Sequence, residues 1–180
     1  MSIYKNKKVL VTGGTGMIGK QVVDLLLQEG AKVRIASLDD PSRAPAETEF
    51  MRLDLSDFNN CMKACEGVEM VFHLAGVKGS PKMSIEKPAT FFLGNLIPNL
   101  QMMEAARQSK VERYLFTSTV GVYAPAEVFN EDDVWKTFPS ENDKFAGWAK
   151  RMSELQAEAY KIQYGWDKIE KLAYQNPTIE

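Results

Sequence analysis

Seven residues near the N-terminus, Gly13-Gly14-Thr15-Gly16-Met17-Ile18-Gly19, have the spacing that holding a pyrophosphate requires. Gly13 permits a tight turn, Gly16 lets the backbone approach a diphosphate, and Gly19 lets a following helix pack closely on the preceding strand. The N-terminus of that helix would offer unpaired N–H groups and a partial positive charge to the phosphates. A second group with chemical potential is the hydroxyl run Thr117-Ser118-Thr119, at the end of Arg113-Tyr114-Leu115-Phe116. Hydroxyls at a strand end are ordinarily turn formers, but at the carboxyl edge of a sheet they lie where open α/β folds bind ligands. Cys61 and Cys65 share one helical face, with no His or second Cys pair to complete a metal site. Two small buried residues are expected there, and no metal. His73, the lone histidine, ends a strand without a nucleophile in context, so it is expected to be packed rather than catalytic.

These groups can work together only if the chain brings them to one sheet edge, and its element pattern does so. Lys8 to Thr12 reads as a strand, the glycine loop follows, and Lys20 to Glu29 is amphipathic. Further strands are expected at Lys32 to Ala36, Phe50 to Leu53, Val68 to His73 and Arg113 to Thr117. Ser56 is the expected N-cap of a helix running through Cys65. Thr90 to Gln108 reads as mostly helical, with Pro98 moving the real start towards Ile97, because an interior proline costs about 3 kcal/mol. Lys144 to Gln163 is the clearest helix, with Trp148, Met152, Leu155, Ala159 and Ile162 forming one apolar stripe. Alternating strands and helices give an α/β fold: a doubly wound, mostly parallel, Rossmann-like sheet in a single domain over residues 1–180.

Composition narrows the classes. The chain has 180 residues, 44% hydrophobic and 26% charged, with a net charge of −2, which suits a globular core. Near-neutral charge gives no case for nucleic acid or an anionic membrane surface. No apolar run is long enough to span a bilayer and no leader-like segment opens the chain, so a cytoplasmic location is expected.

With these motifs in hand, the chain resembles the extended short-chain dehydrogenase/reductases, particularly NAD(P)-dependent nucleotide-sugar epimerases and dehydratases. The carriers are Thr12 to Gly19, Asp54-Leu55, His73-Leu74-Ala75-Gly76-Val77-Lys78, the hydroxyl cluster with Val122-Tyr123, and Trp148-Ala149-Lys150. The resemblance implies that Gly13, Thr15, Gly16, Met17, Ile18 and Gly19 hold the pyrophosphate, and that Asp54 and Leu55 sit at the adenine. It implies that Leu74, Ala75 and Gly76 pass the nicotinamide ribose, with Thr117 nearby, and that Lys78 approaches cofactor or substrate phosphates. Thr119 falls at the catalytic Ser/Thr position. Lys150 falls at the lysine of the Tyr-x-x-x-Lys motif, which binds the nicotinamide ribose and lowers the catalytic tyrosine's pKa. The implied partners are a nucleotide cofactor, a nucleotide-sugar and, across the two long helices, a second copy of the chain. Whether the stripe on the last helix serves that homodimer or faces the sheet stays open.

The chain departs from the family pattern at several points. The tyrosine expected four residues before Lys150 is Ala146, which removes general acid/base help worth roughly 10²–10⁴ in rate; Tyr123 and Lys150 are the available stand-ins. Of the family's Asn-x-x-Gly-Thr, the segment Asn95-Leu96-Ile97-Pro98-Asn99 keeps only Asn95. Lys110 stands where a glycine C-cap is expected. Ile169 to Pro177 lacks the alternation of the family's sixth strand and reads as a polar helical turn or tail, so the fold is expected to be truncated before the substrate domain. Cofactor choice rests on the end of the second strand. Ser37 occupies the usual acidic position, Asp39 and Asp40 favour NAD, and Arg34 and Arg43 favour the 2′-phosphate of NADP. NAD is the expected cofactor, with NADP the open alternative. Two functions follow: a catalytically impaired epimerase/dehydratase-like oxidoreductase, or a cofactor-binding Rossmann module without catalysis, natural or engineered.

Overall fold

The computed structural model describes residues 2–77 and 85–172. Six strands, β1 (Lys8–Thr12), β2 (Lys32–Ser37), β3 (Glu49–Arg52), β4 (Met70–His73), β5 (Arg113–Thr117) and β6 (Ile169–Leu172), form one parallel sheet in the order β3-β2-β1-β4-β5-β6. Strand order reverses between β1 and β4, and the crevice at that switch point is where open α/β sheets bind ligands. The expected doubly wound fold is the fold observed.

Alternation along β1 sets the two faces of the core. Val9 and Val11 turn to one side with Val33, Ile35, Val23 and Leu26. Leu10 turns to the other with Val71, Tyr114, Phe116, Met102 and Met103. Strands buried on both faces read as continuous apolar runs, which is why Val9-Leu10-Val11 is legible at once. The first layer brings in α1 (Met17–Gln28); the second brings in α2 (Phe58–Cys65), α3 (Pro88–Gln108) and α4 (Lys144–Tyr164). Cys61 and Cys65 are fully buried, and burial pushes both thiols up to about 12. Among the described residues, no helix is long and apolar enough to cross a membrane.

Three local expectations need correction. The N-cap of α2 is Asp57, whose carboxylate accepts from Asn59 N at 2.8 Å. Ser56 instead donates through both N and Oγ to Asp54 Oδ1. Helix α3 runs unbroken through Pro98. A proline there removes one bond, to the Gly94 carbonyl; the Asn95 side chain supports the turn before it, Nδ2 donating within the helix to Phe91 O at 2.8 Å and Oδ1 accepting from Val77 N at 3.1 Å across to the β4 end. Residues Ile169–Leu172 form a strand, paired in register with Tyr114 to Thr117. Ile169 is buried in the core, Lys171 pairs inward with the buried Glu154 at 3.3 Å, and Glu170 pairs with Arg113 at the exposed side at 3.7 Å. A four-residue charged edge strand carries little apolar alternation for sequence reasoning to catch. Lys110 adopts φ 57° after α3, the left-handed conformation for which a glycine was expected.

Candidate functional site

A cavity of about 670 Å³ opens along the carboxyl ends of β1, β2 and β4. The glycine loop forms its floor. Gly13 has φ +67°, and a Cβ there would stand 3.0 Å from the Ala75 backbone. A Cβ on Gly19 would lie 2.1 Å from the Gly13 carbonyl, so only glycine lets α1 start this close to β1. The Gly16 cap of α1 carries no side-chain hydrogen bond, which leaves first-turn N–H groups available to an anion. Met17 is 81% exposed and Ile18 54%; apolar residues held open over a pocket suit a ligand that covers them. Uncapped amides, glycines at 13, 16 and 19 along the floor, and apolar side chains beside them fit a dinucleotide diphosphate.

The β2 end of the cavity is polar and internally bonded. Thr15, 1% exposed, donates its hydroxyl to Asp39 Oδ2 at 2.6 Å. Its single proton is thereby used, so Ser37 Oγ, 3.0 Å away, is the donor to Thr15 Oγ1. Arg43 pairs with Asp39 Oδ2 at 3.1 Å and also lines the cavity. Asp40 is turned into its own loop, capping Ser42. Arg34 is withdrawn altogether: its guanidinium donates to the carbonyls of Ala64 and Glu66 at 2.8 Å and pairs with Glu49 at 3.0 Å. It closes the C-terminus of α2, so of the two arginines proposed for a 2′-phosphate only Arg43 is at the site. Asp54 and Leu55 line the opposite wall, and the bonds from Ser56 hold the Asp54 carboxyl below its ordinary value. Leu74, Ala75 and Gly76 complete the rim.

Residues 9–170 match the NAD dependent epimerase/dehydratase family. The chain belongs to that family. It is 29% identical over 172 residues to GDP-mannose 3,5-epimerase of Arabidopsis thaliana, covering 89% of this chain and 45% of that protein. Against UDP-glucose 4-epimerase of Corynebacterium glutamicum it is 26% identical over 161 residues, covering 88% and 48%. The structure of a Thermus thermophilus UDP-glucose 4-epimerase in complex with NAD superimposes with a TM-score of 0.75 at 29% identity, over 93% of this chain and 54% of that one. The chain spans about half the length, or less, of the curated relatives it matches.

Three positions that the resemblance marks, Thr119 and Lys150 as catalytic and Thr117 as cofactor-binding, lie beyond the cavity lining. Thr117 closes β5. Thr119 Oγ1 accepts from Gly121 N at 3.2 Å and caps the single 3-10 turn Val120–Val122. Lys150, 8% exposed, donates to Asn99 Oδ1 at 3.3 Å, and burial lowers its pKa to about 8. Tyr123 packs against Phe129 with Val122 and Val134, and burial raises its phenol. Lys78 lies outside the described residues. His73 is fully buried and bonded on both ring nitrogens, to Thr12 Oγ1 and Asn99 Oδ1, each at 2.8 Å.

One feature escaped sequence reasoning. Arg151, 2% exposed, donates to the carbonyls of Val122 and Thr137 and lies over the rings of Trp135 and Trp148. It pins the loop after β5 to α4, and the only trace in sequence is an arginine on the inward side of a helix. The direction of the stripe on α4, left open by the sequence, follows from exposure. The buried side holds Ala149, Lys150, Ser153, Glu154 and Ala157, whereas Leu155 is 46% and Ile162 80% exposed. The C-terminal part of the stripe, Leu155, Ala159 and Ile162, therefore looks outward, Trp148 and Met152 are half-buried, and the buried side carries polar groups.

Proposed function

We propose that this chain binds NAD in the cavity and forms the cofactor half of a nucleotide-sugar epimerase- or dehydratase-like oxidoreductase. The observation that carries the reading is the continuous wall from Gly13 through Asp39 and Asp54 to Gly76, set at the β1/β4 switch point. Gly13 to Gly19 would hold the diphosphate, Asp39 the adenosine ribose, Asp54 and Leu55 the adenine, and Leu74 to Gly76 the nicotinamide side. The bound nicotinamide would supply the hydride acceptor, and the chain's residues would orient it and exclude water. Asp39 supports NAD, since its carboxylate can accept from a 2′-hydroxyl and would repel a 2′-phosphate. Family relatives act on nucleotide-linked sugars by name, which supports that substrate class here.

Ala146 sets the expected level of activity. Without a phenol four residues before Lys150, proton exchange with a sugar hydroxyl loses about 10²–10⁴ in rate, so we read the site as slow or silent in turnover while competent in binding. Exposed Leu155 and Ile162 support pairing with a second copy, and the composition supports a cytoplasmic setting. Calorimetric titration with NAD and, separately, NADP tests the reading. Saturable NAD binding at lower concentration than NADP is expected; binding of neither would remove it. In the Ala146→Tyr variant, appearance of hydride transfer with a nucleotide-sugar would mark the site as disarmed by that one residue.

A further inference from the structure

Beneath the Leu74–Gly76 rim runs a buried polar chain that links four elements. Thr12 ends β1, His73 ends β4, Asn99 lies on α3 and Lys150 on α4. Proton positions along it follow from counting donors. Thr12 Oγ1 accepts from Leu74 N and Ala75 N, each at 3.1 Å, so its own hydrogen goes to His73 Nδ1 at 2.8 Å. The ring therefore carries its proton on Nε2 and donates to Asn99 Oδ1 at 2.8 Å. Lys150 Nζ donates to the same oxygen at 3.3 Å. Both lone pairs of one amide oxygen are taken, and the amide cannot turn over, because both neighbours are donors. Asn99 Nδ2 is left buried with no partner.

We propose that Asn99 is the positioning residue for Lys150: it fixes the ammonium beside the nicotinamide end of the cavity and ties it, through His73 and Thr12, to the loop that lines that cavity. A buried ammonium with three donors needs oxygen around it, and Asn99 Oδ1 is the acceptor the described residues give it. Burial already loosens the Lys150 proton, so the charge is sensitive to what replaces that oxygen. The other ionisable groups nearby are accounted for. His73 is held neutral by burial, Tyr114 stacks on His73 at 6.2 Å, and Glu154, one turn along α4, is engaged by Ser118 and Lys171. Asn99 also falls at the last position of the segment where the family pattern Asn-x-x-Gly-Thr is lost. The role deepens the proposed function, since Lys150 matters only if a dinucleotide is held beside it.

The test is direct titration of Lys150 by NMR in the full chain without ligand, with lysine side chains isotope-labelled and the Lys150 signal assigned by its loss in Lys150→Met. Asn99→Asp places a carboxylate against the ammonium and is expected to raise the midpoint by at least about one pH unit, tenfold in proton affinity. Asn99→Leu is expected to lower it by a similar amount. If Asn99→Leu does not fold, Asn99→Thr, whose hydroxyl is too short to serve both donors, replaces it with the same expected direction. A midpoint unchanged in both the acidic and the shortened variant overturns the proposal. NADH titration of the same proteins is the second readout, expected to weaken about tenfold in Asn99→Leu or Asn99→Thr, or about 1.4 kcal/mol. A wild-type chain that binds no dinucleotide would defeat the proposed function, and the Lys150 titration would still decide Asn99.

Discussion

His73 makes stability depend on pH in a window that no other side-chain class shares. Burial lowers its pKa to about 3, against an unfolded value of about 6.5. Because the folded value is the lower one, the unfolded chain takes up a proton first as pH falls. Stability is thus complete above the unfolded value and drains away towards the folded one. The cost at about pH 5, relative to about pH 7.5, is close to 1.4 kcal/mol multiplied by the 1.5-unit gap below 6.5, or about 2 kcal/mol. His73 is the single histidine of the chain. The carboxylates that hydrogen bonds hold low, among them Asp54 and Glu49, lose their contribution mainly below about pH 4. Lys150, with a folded value of about 8, is mostly protonated in both states across the window and adds little slope. Urea unfolding followed by tryptophan fluorescence at the two pH values should therefore show the loss in the natural chain. The His73→Gln protein should be less stable overall and flat between them. A natural chain whose stability changes by less than about 0.5 kcal/mol, or a slope that survives in His73→Gln, would refute the buried neutral imidazole.

Gly19→Ala forces a methyl to within 2.1 Å of the Gly13 carbonyl; it is expected to cost about 1–3 kcal/mol and to abolish NAD binding, and unchanged melting and affinity would contradict the packing described. Asp39→Asn is expected to shift the NAD-to-NADP preference towards NADP by about tenfold, about 1.4 kcal/mol, because Arg43 loses its partner and faces the incoming phosphate. An unaltered ratio by calorimetry would remove Asp39 from cofactor choice. Sedimentation of the chain should show a dimer that Leu155→Glu with Ile162→Glu dissociates; a concentration-independent monomer at the outset would remove the pairing across α4.

What the sequence disclosed, and what it concealed, separates along physical lines. The glycine loop was legible because its requirement is steric and local: Gly13 and Gly19 stand where a Cβ would meet backbone, so residue type and spacing alone carry the message. The inner strands were legible because burial on both faces leaves apolar runs such as Val9-Leu10-Val11. The edge strand Ile169–Leu172 was missed because pairing supplies its order, through backbone bonds to β5 that leave no side-chain signature. Pro98 misled for a related reason, since propensity counts the lost bond and cannot see Asn95 anchoring the turn before it. Arg34 looked like a phosphate ligand until its side chain was found closing α2 from beneath, and nothing in residue type distinguishes an arginine aimed into a cavity from one aimed under a helix. The same limit governs α4. Its apolar stripe left open whether that side faces the sheet or a second copy, and the helix buries Lys150, Ser153 and Glu154 while leaving Leu155 and Ile162 exposed. A helix that gives its inner face to polar groups must satisfy them there. Asn99, Ser118 and Lys171 supply bonds to Lys150 and Glu154, and they come from α3, from the segment after β5 and from β6 respectively. The polar side of this fold is thus a product of long-range contacts, whereas the glycine loop is a product of neighbours in the chain. That difference is why the glycine loop can be read from the sequence and the lysine's environment cannot.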